Sequence, residues 1–225
     1  MTTTYTGTVS SGFDGRGDFF QAGTDLTGMT FKVVFLTDDA TVGVESTSDA
    51  VSSFISGGFQ TPANPLSPVK ATVTIGGASF QLDGGFQGTS LEVASTCAPD
   101  CSNGEIGSVA SEFKKEGLGF FGTRNVAMEL FSNNPKVFSG DYHKSLFHVV
   151  QPGEVNFPDS SHGRLTDNFF DETAGEYIYN TFADFDIATV RVGSVPEPGT
   201  WALLIFGLAA VGTAMRRRKL AIASG

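Results

Sequence analysis

Charge is scarce in this sequence. Only 17% of its 225 residues are Asp, Glu, Lys or Arg, against 40% hydrophobic residues. That balance excludes a disordered chain. Cations are scarcer than anions and unevenly placed. All 24 acidic residues lie at or before Glu197, together with ten of the 14 Lys and Arg; the other four are Arg216, Arg217, Arg218 and Lys219. The part before this tail therefore stands at −14. Such a surface repels phosphate backbones and argues against nucleic acid as a partner. Catalytic signatures are also missing. There is no H-E-x-x-H, no G-x-S-x-G, no P-loop and no dinucleotide fingerprint.

Cysteine is nearly absent. The pair Cys97-Ala-Pro-Asp-Cys101 has too few ligands for zinc and too wide a spacing for a C-x-x-C redox motif. Pro99 favours the bend of a small loop, so a Cys97–Cys101 disulfide is expected in an oxidising compartment. The body has no tryptophan; the single Trp201 lies in the tail.

Glycine (28) and phenylalanine (21) are abundant, a mixture that suits short strands joined by tight turns. Met29–Leu36 alternates as a strand, with Met29, Phe31, Val33 and Phe35 on one face. Val69–Ile75, Gly76-Gly77 and Ala78–Leu82 read as a hairpin. Further strands are expected at Thr4–Val9, Ser90–Ala94, Asn125–Phe131, Leu146–Val150 and Tyr177–Val192, with a helix or irregular excursion at 97–118. The fold class predicted is mainly β, an antiparallel β-sandwich over residues 1–192. The opening Met1–Val9 has neither the basic start nor the apolar core of an export signal and already reads as a strand.

Residues 193–225 differ sharply. Val195-Pro196-Glu197-Pro198-Gly199 is a rigid extended element. An uncharged apolar run then extends from Trp201 to Met215, and Arg216, Arg217, Arg218 and Lys219 follow directly. Fifteen residues make roughly 23 Å of helix against about 30 Å of hydrocarbon. The flanks identify the run as a single C-terminal transmembrane helix. Trp201 suits one interface, and the adjacent cations stop movement at the cytoplasmic side.

The order Pro196-Glu197-Pro198, apolar helix with Gly207 and Gly212, and Arg216–Arg218 resembles the PEP-CTERM sorting signal. The resemblance implies an integral-membrane exosortase as partner, which recognises and cleaves the signal. It also implies export by a Gram-negative bacterium and a link to exopolysaccharide and biofilm. Export of this kind needs an N-terminal signal peptide, which is expected upstream of Met1; the alternative is a cytosolic protein with a tail anchor. The precursor would sit in the inner membrane with a periplasmic body, and the product at the cell surface or outside.

Within the body, Asp14-Gly-Arg-Gly-Asp18 reads as a solvated turn, ahead of a calcium loop or an integrin-type Arg-Gly-Asp. Asp184 with Asp186, Asp38 with Asp39, and Asp167, Asp171 and Glu172 read as solvated strand ends, ahead of calcium ligands or glycosidase carboxylates. His143, His148 and His162 have no metal spacing. The phenylalanines Phe19, Phe20, Phe31, Phe35, Phe54, Phe59, Phe80 and Phe86 read as core. No cofactor, metal or catalytic residue is expected. The leading reading is a non-enzymatic envelope or matrix protein; the alternatives are a carbohydrate- or calcium-binding module and a polysaccharide hydrolase.

Overall fold

The computed structural model describes residues 1–41, 44–48, 51–59, 66–94, 104–115, 120–132, 137–150, 163–171 and 175–193. The chain divides into two compact units, Met1–Gly193 and Ser194–Gly225. The second unit, with the whole sorting segment and the apolar run, lies outside the described residues, as do Cys97, Cys101, His162 and Glu172.

The first unit is built from β1 (Thr2–Asp14), β2 (Thr24–Asp25), β3 (Thr30–Thr37), β4 (Glu45–Ser48), β5 (Ser52–Gly57), β6 (Val69–Ile75) and β7 (Ala78–Leu82), then β8 (Gln87–Val93), β9 (Gly104–Lys115), β10 (Phe120–Ser132), β11 (Leu146–Val149), β12 (Gly163–Asp171) and β13 (Glu176–Gly193). All pairings are antiparallel. The expected antiparallel β architecture is present, but not as two separate sheets. One hydrogen-bonded path runs β4-β5-β8-β9-β10-β12-β13-β1-β3-β6-β7, with β11 added to β13 and β2 to β1. The sheet curls until β6 and β7 come back against β8 and β9.

The period-2 pattern places the core inside this curl. Phe31, Val33 and Phe35 of β3 face inward with Val69, Ala71, Val73 and Ile75 of β6 and Val126, Met128 and Leu130 of β10. Burying each large apolar side chain contributes roughly 1.5–3 kcal/mol. The β6–β7 hairpin forms as read, Ile75 opposite Ala78. Gly76 and Gly77 take φ of 55° and 95°, which a two-residue primed turn requires.

Two bulges bend the central β1–β13 pair. Thr6 lies opposite Thr189 but Gly7 opposite Ile187, so Ala188 is extra; Val9 lies opposite Phe185 but Ser11 opposite Asp184, so Ser10 is extra. Each bulge shifts the alternation by one residue and increases local twist. In β13 the buried series runs Phe185, Ile187, then Val190 and Val192. In β1 the shift turns Asp14 inward to 0% exposure and leaves Phe13 at 42%.

The segment expected as helix or excursion at 97–118 contains a strand instead. β9 is hydrogen-bonded on both edges, to β8 and β10. Of its inward residues Ile106, Ser108 and Ala110, the last two are small or polar enough to hide the alternation. Pairing on two sides overrides that weak local signal.

Candidate functional site

Three phenylalanines that are distant in sequence meet on the outer surface. Phe59 follows β5, Phe86 precedes β8, and Phe113 lies near the end of β9. Backbone hydrogen bonds set their spacing: Phe59 N–H donates to Gly85 O at 3.0 Å, and Phe86 N–H donates to Ser111 O at 2.9 Å. Gly58 makes the approach feasible. Its φ is +115°, and a Cβ there would lie 2.8 Å from Phe86 O. The rings form a ladder, Phe59–Phe86 and Phe86–Phe113 each at 6.3 Å between centroids, the first pair only 23° from parallel. Phe59 is 76% exposed and Phe113 53%. With Asp83 and Gly85 these rings line an open hollow of about 450 Å³. Asp83 Oδ1 accepts the Gly85 N–H at 2.8 Å, which fixes the carboxylate at the rim. Lys70, Gln81 and Glu112 line an adjoining hollow that shares Asp83. Reading these phenylalanines as core holds for the buried Phe19, Phe31 and Phe35 but fails for Phe59.

A second cluster lies inside the curl. The inward Asp14 carboxylate accepts four backbone N–H groups: Gly17 and Asp18 at 2.8 Å on Oδ1, Phe19 at 2.9 Å and Phe20 at 2.7 Å on Oδ2. The Asp14–Asp18 turn is thus folded around a buried carboxylate rather than being a solvated turn. Both oxygens are committed to N–H donors, an arrangement that suits an anion and not a calcium ligand. Asp18 is bound as well, its Oδ1 2.6 Å from Arg124 Nη2, so Arg16-Gly17-Asp18 is no free tripeptide.

Arg124 gathers this end of the core. It is 7% exposed, donates from Nε to Asp167 Oδ2 at 2.6 Å, lies 3.9 Å from Glu112 Oε1, and sits 4.4 Å over the Phe80 ring. Asp167, read as a solvated strand end, is 1% exposed. Farther along the interior, Glu92 is 2% exposed and accepts the Ser139 N–H at 2.8 Å.

The other candidates disperse. Asp184 pairs with Arg164 at 2.8 Å, while Asp186 on the same outer face is exposed. Asp39 lies 3.4 Å from His143 Nε2, and His148 packs edge-on to Phe138 at 6.4 Å. Among the described residues no group of three or more His, Cys, Asp or Glu is placed to hold a metal ion. Among them, too, no helix is long and apolar enough to cross a membrane, and Trp201–Met215 is not among them.

Residues 194–219 match the PEP-CTERM protein-sorting motif. That span holds Pro196, Glu197, Pro198, Trp201, Met215 and Arg216–Arg218. The signal marks a chain handled by exosortase, a membrane-anchored precursor that ends at the surface or outside the cell. No curated protein and no solved structure matches the chain.

Proposed function

We propose that this chain is a non-catalytic envelope or extracellular-matrix protein, inserted in the inner membrane with its body in the periplasm and then cut by exosortase. The matched sorting motif at 194–219 carries the reading. The charge order supports the orientation, because four adjacent cations after an uncharged run stay cytoplasmic. The state of the buried carboxylates supports a structural body. Asp14 is held by amides, and Asp18 and Asp167 by Arg124, so none of them is open to a substrate.

The test is expression in a host with and without its exosortase. A membrane-bound full-length form that accumulates without the enzyme, and a shorter released form with it, is the expected result. Identical forms in both hosts would reduce the tail to a simple anchor. A glycan-binding body with the same address is the second reading, and the aromatic hollow favours it.

A further inference from the structure

The Phe59–Phe86–Phe113 hollow has no counterpart elsewhere among the described residues. Phe147, 66% exposed, stands outside any such ladder among the described residues, whereas these three are held in line by backbone bonds between separate segments. Exposed aromatic faces cost solvation unless something covers them. Charge narrows what that is. The body carries −14, which opposes a second copy, an anionic polymer and an anionic lipid surface. A cationic peptide gains little either: Lys70 offsets Asp83 in that neighbourhood, and Glu112, the other carboxylate there, already faces Arg124 at 3.9 Å.

We propose that the hollow binds a neutral glycan. A pyranose presents C–H groups on its faces and hydroxyls at its edge. The electron-rich faces of Phe59 and Phe113 suit the former. Asp83 suits the latter: Gly85 N–H occupies Oδ1, leaving Oδ2 to accept a hydroxyl. The hollow, mostly apolar with one fixed acceptor at its rim, has the make-up of a small-ligand site. Phenylalanine has no polar atom to orient a sugar, so orientation falls to Asp83, with Gln81 nearby. This rests on the reading that the chain works at the cell surface among glycans.

The experiment is co-sedimentation of the purified full chain, in mild detergent, with two insoluble neutral glucans, cellulose and curdlan. Polygalacturonate gel serves as the anionic arm. The expected result is retention on at least one glucan and none on the anionic gel. Phe59→Ala and Phe113→Ala should each weaken retention about tenfold, as loss of an aromatic anchor does, and Asp83→Asn should weaken it less. Phe147→Ala should leave it unchanged. No retention on either glucan overturns the proposal, as does equal retention on polygalacturonate. So does equal loss in the Phe147 variant, which would mean general stickiness. Exosortase-dependent cleavage of the same variants separates this failure from failure of the sorting assignment, since none of them touches residues 194–219.

Discussion

Arg124 reaches Asp18 across 106 positions of sequence, with Nη2 2.6 Å from Oδ1. The contact ties the loop after β1 to the middle of β10, and Asp167 of β12 joins from the other side. Removing the cation strands Asp167 as a buried charge. Arg124→Met should therefore cost about 3–5 kcal/mol in denaturant unfolding. Asp18→Asn should cost much less, because Asp18 is closer to solvent. Equal losses would show that the Asp18 contact, rather than the stranded Asp167, carries the cost.

Asp14→Asn keeps the size but replaces one acceptor oxygen with an NH2 group aimed at backbone donors. At least one pair of amides among residues 17–20 then loses its partner. A loss of about 3 kcal/mol is expected, and hydrogen exchange at Gly17–Phe20 should speed up before the rest of the sheet.

Tyr5 sets an alkaline limit. Burial is the main cause that pushes its phenol well above the ordinary range; Ser108 beside the hydroxyl lowers it, and the charges of Glu129, Glu92 and Glu105 raise it further. A folded value above the unfolded one means stability is fully present below the unfolded value of about 10, and is lost as pH rises beyond it. Circular dichroism during alkaline titration should show unfolding in that range. Tyr5→Phe, which keeps the edge-on packing against Phe35, should move the midpoint upward. An unmoved midpoint would assign the transition to another group.

Two parts of the tail should fail differently. Glu197 is the only charge between Arg191 and Arg216, so it is the natural handle for recognition. Glu197→Ala, or replacement of Pro196 and Pro198, should block cleavage while the chain stays in the membrane. Neutral residues at Arg216, Arg217 and Arg218 should instead impair retention and orientation. Gel size of the membrane and released fractions reads both. Normal trimming of the Glu197 and proline variants would make that element a passive spacer.

Cys97 and Cys101 should be disulfide-bonded in the exported protein. Mass spectrometry of unreduced peptide should find the pair two hydrogens lighter than the thiol form. Two free thiols would count against both the bond and the compartment.

Much of the fold was readable because its signals are local. β3 and the β6–β7 hairpin show clean alternation around an obligatory glycine turn, and the structure places them there. β9 was not readable, because its inward Ser108 and Ala110 resemble loop residues until strands pair on both edges. The inward turn of Asp14 was hidden for another reason. Strict alternation from Tyr5 and Val9 puts Phe13 inside, and only the extra Ser10 reverses that phase. Phe59 was misread because its neighbours in the hollow come from segments 24 and more residues away.

Sequence alone determined the address of this protein. A sorting signal acts as a short linear segment, so the order of Pro-Glu-Pro, apolar run and arginine cluster carries its meaning without any fold. It also determined the β class, since a period of two with glycine turns is a property of neighbours along the chain. Tertiary structure decided everything that depends on residues far apart in sequence. Bulges on β1 and β13 chose which side chains face in, the curl brought Asp18, Arg124 and Asp167 to one charge cluster, and backbone bonds between three segments lined up Phe59, Phe86 and Phe113. Those relations come from strand register and sheet curvature, which are set by many weak pairings at once and written in no single stretch of sequence.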